Sequence, residues 1–376
     1  MKLSGFSGLR GLAALMVVLY HLNQHRNTIN LPEWSWDLYQ FTEHLVFVVS
    51  VFFIFSGLFR SLSYWKVIYK WWEIPSFLIT LRERFFRIAP AYYSALLLTF
   101  AVVVLLQGFT YADGWRLLVG MAFLSWTSSI TFFPIDINGP LWFISYDMMG
   151  WIMVSLMMMV IMKSSQFRRK ILIWLLPIVL LMLHYILISL PWSSGGGISW
   201  EWFPTYNPFL FGLHFYIGLL VGWGIMRWEH RKVDIMYDYI ATILFVSVVG
   251  FLWYIRWAWD WSYSWPHGPY HFPIVPILFG GFLFVLPVTR FIARFLDNSV
   301  FVYLSKISYS LYLIHMLIIF LLRKYIFVSE QLWFYNWSLF AIMTIGLSCI
   351  SAHLMQKYIE QYDWSRLLQK NPLKRG

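Results

Sequence analysis

The chain is poor in cysteine and in charged residues. Of its 376 residues only one is a cysteine, Cys349, and it lies within an apolar run. Disulfides, thiolate metal clusters and two-cysteine redox chemistry are therefore excluded. Charged residues make up 12% of the chain, about half of the roughly 25% that is usual for a soluble domain. This composition argues against a soluble fold, an intrinsically disordered chain and a disulfide scaffold.

Several catalytic and nucleotide-binding motifs are also missing. The sequence contains no Gly-x-Ser-x-Gly elbow, no His-Glu-x-x-His zinc site, no Walker loop and no Gly-x-Gly-x-x-Gly dinucleotide motif. Hydrolase, metalloprotease and ATP-driven pump functions lose their support, and we expect no metal.

Long apolar runs dominate what is present, since 60% of the residues are hydrophobic and 21% are aromatic. A helix of about 17–25 apolar residues crosses the ~30 Å hydrocarbon core of a bilayer. Runs of this kind predict an all-α, polytopic membrane bundle of about ten transmembrane helices. The ten runs lie near residues 6–23, 44–60, 89–107, 141–162, 171–190, 208–226, 238–255, 272–289, 306–322 and 334–356.

A further apolar segment, 115–133, decides the topology. If it does not span the membrane, 23 of the 28 Lys and Arg residues fall on one side. The positive-inside rule then predicts that both termini are cytoplasmic and that segment 115–133 is re-entrant or interfacial. The basic residues form short clusters between the apolar runs, so the net charge of +11 indicates membrane orientation and not nucleic-acid binding.

The loops between the runs are short, which predicts one transmembrane domain over residues 1–376. Residues 356–376 form a short basic tail, and we expect no appended soluble domain. Any chemistry must therefore occur within the membrane bundle. A transporter or flippase for a glycan or a small molecule is one interpretation of such a bundle, although the chain has no internal repeat.

The first run contains two ionisable residues, Arg10 and His21. Eleven residues at 100° each bring both side chains to one helix face, about 16 Å apart along the axis. They can mark two depths of one polar path. Alternatively, the arginine snorkels to the headgroups and the histidine is satisfied by a neighbouring helix.

Arginines 82, 84 and 87 precede Pro90, a residue suited to the first turn of a helix. We therefore expect the arginines to precede the third transmembrane helix on its cytoplasmic side. Guanidinium groups placed there match a phosphorylated ligand, but they equally match ordinary membrane anchors.

Asp147 and His315 are further ionisable residues that lie within apolar runs. Asp147 is the one carboxylate placed well inside a run, and it can polarise a histidine or pair with an arginine. His315 lies in the ninth run, where we expect a structural role.

Five segments, in this order, resemble the acyltransferase-3 family of integral-membrane O-acyltransferases, whose mark is an arginine, ten residues and a histidine. They are GLRGLAALMVVLYH (8–21), VFFIFSG (51–57), RFFRIAP (84–90), PLWFIS (140–145) and SYSLYLIH (308–315).

The resemblance implies an O-acyltransferase, usually an O-acetyltransferase, which moves an acyl group from cytoplasmic acyl-CoA to a sugar hydroxyl of a surface glycan. It also implies the bacterial cytoplasmic (inner) membrane, with lipid, acyl-CoA and a carbohydrate as partners. Catalytic candidates are His21, Arg10 and Asp147, and candidates for binding acetyl-CoA are Arg84, Arg87 and again Arg10. His21, with an unperturbed pKa near 6.5, can act as a general base or form an acylated intermediate.

The chain departs from the family after Trp142. Many members have Trp-Ser-Leu-Ser-Val-Glu-Glu-Gln here, whereas in this chain Asp147 replaces the first glutamate and Met148 the second. Tryptophans in the outer loops can stack on sugars or form an interfacial belt; they are Trp200, Trp202, Trp257, Trp259, Trp261 and Trp265.

Overall fold

The fold is a bundle of long helices, seen in a computed structural model of the chain. The structure describes residues 3–23, 29–30, 44–70, 73–127, 131, 136–189, 208–258, 272–328, 332–362 and 364. The α-helices are α1 (Phe6–Asn23), α2 (Val48–Lys70), α3 (Phe77–Gln107), α4 (Tyr111–Met121), α5 (Trp142–Lys163), α6 (Gln166–Ser189), α7 (Pro208–Arg227), α8 (Ile235–Ala258), α9 (Ile274–Val285), α10 (Phe291–Leu296), α11 (Ser299–Tyr325) and α12 (Phe334–Met355).

Short elements complete the fold. The 3-10 turns are His44–Phe47, Ser125–Thr127, Asp136–Leu141 and Leu286–Val288, and a π-helical turn, Gln356–Glu360, extends α12. The strands among the described residues are β1 (Ile29–Asn30) and β2 (Leu332–Trp333), which pair in parallel.

All ten predicted apolar runs form helices. Among the described residues, eight helices are long and apolar enough to cross a membrane, and two shorter apolar helices correspond to the first and eighth runs. The predicted all-α polytopic bundle is confirmed, and the chain is an integral membrane protein.

Burial divides the helices into a centre and a periphery. Helices α2 and α7 are mostly buried, whereas α6, α8 and α12 expose most of their apolar side chains. Exposed apolar surface of this extent requires lipid around it. Of the polar groups described below, Asp147 and His315 are buried within the bundle.

Helices α2 and α7 run parallel and touch through glycines. A Cβ atom at Gly57 would lie 2.0 Å from the carbonyl oxygen of Phe215, and one at Gly218 would lie 2.1 Å from that of Ile54. Small residues allow such close approach between membrane helices. Farther along both helices, the Lys70 ammonium lies 2.8 Å from the Glu229 carboxylate, and the bond holds the pKa of Glu229 below its ordinary value.

Helices α1 and α11 also run parallel at close range. A Cβ atom at Gly8 would lie 1.6 Å from the carbonyl oxygen of Leu296, and one at Gly11 would lie 2.1 Å from that of Phe301. Because α1 continues beside α11, His21 near its end reaches the middle of α11.

The parallel pairs indicate the role of segment 115–133. Two helices point the same way only if an odd number of crossings separates them, and α3, α5 and α6 are the long helices between α2 and α7. Helix α4 has 11 residues and reaches about 16 Å, short of the ~30 Å core. The described part of segment 115–133 therefore does not add a crossing. The cytoplasmic placement of the termini stays a prediction.

The expectation that a helix starts at Pro90 is wrong. Helix α3 begins at Phe77, so Pro90 lies inside it and the arginines lie on the helix itself. A proline within a helix costs about 3 kcal/mol, but Ile88, Ala89 and Ala91 are buried around it. Tyr309 of α11 also donates a 2.9 Å hydrogen bond to the Ile88 carbonyl. This packing favours a continuous helix.

Candidate active site

Three arginines from two helices meet at one end of the bundle. Arg10 lies near the start of α1, and Arg84 and Arg87 lie one turn apart on α3. Arg10 interacts electrostatically with Arg84 and Asp147, and Arg87 interacts with the other two arginines and with Asp147. The structure thus brings together four of the five residues that the sequence marks as candidates.

Asp147 is the carboxylate at the centre of this cluster. It is buried in the second turn of α5, pairs with Arg84 and accepts a hydrogen bond from the Ser56 hydroxyl of α2. A buried carboxylate requires such partners, because a bare charge in a low-dielectric interior is very costly. Of the two roles open from the sequence, the structure places Asp147 in the arginine-pairing one.

Glu360 is a second carboxylate in the cluster. It lies in the π-helical turn after α12, accepts a hydrogen bond from Ser310 of α11, and interacts electrostatically with Arg10 and Arg87. The sequence analysis missed it, because the last apolar run ends at residue 356. The available signal was that Glu360 is the first carboxylate after that run, one helical turn beyond its end.

Charge and access favour an anionic ligand at this end. Three guanidinium groups face two carboxylates, and the side chains of Arg10 and Arg87 are exposed while that of Arg84 is 14% exposed. The buried Nε of Arg84 has no hydrogen-bond partner within the described part of the chain. A buried donor without an acceptor costs about 1–3 kcal/mol, which an anion's oxygen would recover.

The anchor hypothesis fits this geometry poorly for Arg84. A membrane anchor extends towards the headgroups, whereas Arg84 is held inward by Asp147.

Two histidines form the other end of the site. The ring centroids of His21 and His315 lie 5.1 Å apart, and His21 also contacts Tyr20 at 4.9 Å. His21 is half-buried and His315 fully buried. Since His21 lies 11 residues beyond Arg10, the histidine pair is about 16 Å along α1 from the arginines.

The 308–315 segment of α11 joins the site to its surroundings. The Tyr312 hydroxyl donates a 2.7 Å hydrogen bond to the Pro140 carbonyl, and the Asn138 amide donates a 2.9 Å bond to the Leu313 carbonyl. Together with the Tyr309 bond to α3 and the Ser310 bond to Glu360, these contacts tie α11 to three other elements. They explain the polar residues of this segment.

Arg60 supports the arginine cluster from behind, although the sequence analysis did not single it out. It is buried, and its guanidinium donates to Ser155 (2.7 Å), Tyr64 (2.8 Å) and Thr80 (3.0 Å). It also lies 4.0 Å from the ring centroid of Trp151, a cation–π contact. These bonds hold the start of α3 against α2 and α5, one turn before Arg84.

The structure does not test every predicted site feature. The side chains of the outer-loop tryptophans lie outside the described residues, as does most of the basic tail. Within the described ranges, no three potential metal ligands come together. That a metal is not required stays a prediction.

Comparison with known families agrees with the motifs. A family model described as an acyltransferase domain, that of the acyltransferase-3 family, matches residues 3–353. No curated protein and no solved structure matches the chain. The family match covers nearly the whole bundle, including the arginine cluster, Asp147 and both histidines, and ends before Glu360. The chain therefore belongs to the acyltransferase-3 family of membrane acyltransferases.

Proposed function

We propose that the protein is a membrane O-acyltransferase, most simply an O-acetyltransferase, that uses acyl-CoA as donor and a sugar hydroxyl of a surface glycan as acceptor. One observation carries the proposal. A cluster of three arginines, in which the buried Arg84 Nε has no hydrogen-bond partner among the described residues, lies about 16 Å along α1 from a histidine pair.

Arg10, Arg84 and Arg87 form the donor site in this proposal. The phosphates of CoA need forked, permanently charged donors, and guanidinium groups bind phosphate oxygens in bidentate fashion. Arg10 and Arg87 are exposed and so reach a ligand directly. Asp147 orients Arg84 by pairing with it. The pantetheine arm then runs along α1 and carries the thioester to His21.

His21 is the general base. It takes the proton of the sugar hydroxyl as the hydroxyl oxygen attacks the thioester carbonyl carbon. The C–S bond breaks, CoA leaves as a thiolate, and the imidazolium returns its proton to that sulfur. The products are an O-acyl ester and free CoA. Transfer through an acylated His21 gives the same products in two steps.

Sidedness follows from the charge distribution. The arginine cluster lies at the end of the bundle where most basic loops fall, which the positive-inside rule assigns to the cytoplasm. Cytoplasmic acyl-CoA meets it there, and the acceptor arrives from the opposite side. We place the protein in a bacterial inner membrane because the family resemblance implies it.

The test is a His21→Ala variant compared with wild type at matched protein levels. Loss of a positioned base lowers the transfer rate about 10²–10⁴-fold. We expect the variant to fold, to insert and to bind acetyl-CoA, because His21 is only half-buried and lies far from the arginines. The measurement is CoA release from acetyl-CoA in membranes of the producing cells, which contain their own glycan.

Two outcomes would contradict the proposal. Near-normal CoA release by His21→Ala would show that His21 is not the general base. If the wild-type protein does not consume acetyl-CoA at all, transport of a glycan or small molecule becomes the better reading.

A further inference from the structure

His315 has a defined tautomer. Its Nδ1 lies 3.1 Å from the Leu311 carbonyl oxygen and 2.8 Å from that of Tyr312. A carbonyl oxygen only accepts hydrogen bonds, so Nδ1 must carry the hydrogen. In the neutral ring, the lone pair is therefore on Nε2.

That lone pair is buried and unused. His315 is 0% exposed, and its Nε2 has no hydrogen-bond partner among the residues that the structure describes. A buried acceptor without a donor carries a free-energy cost of about 1–3 kcal/mol. Such a group is expected to have a partner in some functional state.

His21 is the group within reach. Two imidazole radii plus a hydrogen bond of about 2.9 Å come to about 5 Å between ring centres, and the centroids lie 5.1 Å apart with the planes at 40°. The separation of the ring centres is therefore compatible with a hydrogen bond from a His21 ring N–H to Nε2 of His315 after the His21 ring turns. Catalytic hydrogen bonds are often long without substrate and tighten in the complex.

Within the described residues, the His315 ring contacts the rings of His21 and Tyr312. His21 faces it from α1 and interacts with it electrostatically, and the Tyr312 ring lies 5.8 Å away on its own helix. The nearby 3-10 turn contributes the uncharged Asn138, whose amide bonds the Leu313 carbonyl. Buried Thr344 and Ser348 of α12, which also packs on α11, are uncharged.

A second histidine shows that an unpaired Nε2 alone is not evidence of function. His214 on α7 is equally buried, its Nδ1 lies 3.1 Å from the Leu210 carbonyl oxygen, and its Nε2 also lacks a partner in the described structure. Its ring neighbours include phenyl groups, at Phe53, Phe211 and Phe272. The distinguishing feature of His315 is that its ring contacts another histidine.

We propose that His315 is the positioning residue for His21: its Nε2 accepts a hydrogen bond from one ring nitrogen of His21 and so turns the other, basic nitrogen towards the acceptor hydroxyl. The proposal rests on the assignment of His21 as the base. During transfer the hydroxyl proton moves to His21 and then to the CoA sulfur, while His315 stays neutral and keeps its Nδ1 hydrogen. The bond also stabilises the imidazolium that forms on His21.

Two amide variants of His315 distinguish a positioning role from a purely structural one. In His315→Asn, the amide nitrogen can replace Nδ1 and donate to the same carbonyls, but nothing replaces Nε2. In His315→Gln, the longer side chain can place its amide oxygen near the Nε2 position as an acceptor. Asn and Gln variants of His214 are the matched controls, because Nδ1 of His214 makes the same type of hydrogen bond to a backbone carbonyl.

The measurements are kcat and KM for acetyl-CoA in the full-length protein, with the unfolding temperature in detergent. We expect His315→Asn to lower kcat about tenfold or more, with KM and unfolding temperature close to wild type. His315→Gln should restore most of kcat. In a His21→Ala background, His315→Asn should cause no further loss. A His214 variant that keeps the wild-type unfolding temperature should also keep the wild-type kcat.

The following results would overturn the proposal. Wild-type kcat in a folded His315→Asn variant would show that Nε2 is not used. Equal losses of kcat and unfolding temperature in the Asn and Gln variants would show a packing role. His315→Asn is replaced in this test if it does not fold: a folded His315→Gln variant with a kcat as low as that of His21→Ala would then overturn the proposal. Failure of the proposed function itself is visible separately, as normal transfer by His21→Ala.

Discussion

At the scale of single residues, the arginines of the cluster divide into two kinds. Arg84 is held by Asp147 and is largely buried, whereas Arg87 is one turn farther along α3 and exposed. A change at Arg84 disturbs both the ion pair and the ligand site, and breaking a buried pair typically costs about 3–5 kcal/mol. Arg87 therefore provides the cleaner test of donor binding.

We expect Arg87→Lys to weaken the binding of acetyl-CoA about tenfold or more, although the charge is kept. An ammonium group cannot make the bidentate fork, and a charged hydrogen bond contributes about 1.5–3 kcal/mol. The unfolding temperature should stay close to the wild-type value, because lysine keeps the positive charge that interacts with Asp147. Calorimetric titration of the detergent-solubilised protein with acetyl-CoA measures both the affinity and its loss.

Arg168→Lys is the control for this experiment. Arg168 is also exposed and lies in a basic cluster on the same predicted side, at the start of α6. Its substitution should leave the affinity at the wild-type value. If Arg87→Lys binds acetyl-CoA as tightly as Arg168→Lys does, Arg87 is a membrane anchor and not a ligand of the donor.

At the scale of helices, the approach of α1 to α11 determines whether the histidines meet. Gly8 and Gly11 lie against the backbone of α10 and α11, where no side chain fits. The same helix carries Arg10 and His21, so its position couples the donor cluster to the histidine pair. Close helix contact is thus a requirement of the site as well as of the fold.

We expect Gly11→Ala to destabilise the protein by about 1–3 kcal/mol and to lower acyl transfer further, because the added methyl pushes α1 away from α11. The new Cβ would lie 2.1 Å from the Phe301 oxygen and 2.7 Å from the Ser305 nitrogen. Gly346→Ala on α12, where nothing lies within 4 Å, is the matched control. Thermal unfolding in detergent and CoA release are measured on both, and identical behaviour of the two variants would count against a close-contact role for Gly11.

At the scale of the whole molecule, the parallel helix pairs and the charge distribution support one topology. The orientation of α2 beside α7, and of α1 beside α11, requires that α4 does not cross the membrane. If all ten apolar runs cross, both ends of the chain lie on one side, and the positive-inside rule predicts that this side is the cytoplasm. That residues 1–376 form a single domain stays a prediction.

We therefore expect a reporter fused after Gly376 to be cytoplasmic and a tag inserted in residues 191–207 to be accessible from outside. Impermeant labelling of single tags in intact cells and in lysed cells measures the accessibility. A tag between α5 and α6, near Ser164 and Ser165, is the internal control and should be labelled only after lysis. Labelling of the 191–207 tag only after lysis would mean that segment 115–133 spans the membrane.

The sequence by itself determined the class of the protein and most of its elements. Hydropathy is a local property, so each apolar run predicted a helix, and some bounds agree closely, as in the run at 141–162 and α5 at Trp142–Lys163. The order of the motifs identified the family, and the 100° rotation per residue of an α-helix placed Arg10 and His21 on one helix face. The largest difference is at the start of α3, where tertiary packing outweighed the preference of Pro90 for a first turn.

Only the tertiary structure decided which helices face each other. Spacing along one helix tells which residues share a face, but not which neighbour covers that face. The pairing of Asp147 with Arg84, the entry of Glu360 into the arginine cluster and the contact of His21 with His315 all join segments far apart in the chain. These contacts depend on how closely helix backbones approach, which glycine positions such as Gly8 and Gly11 permit.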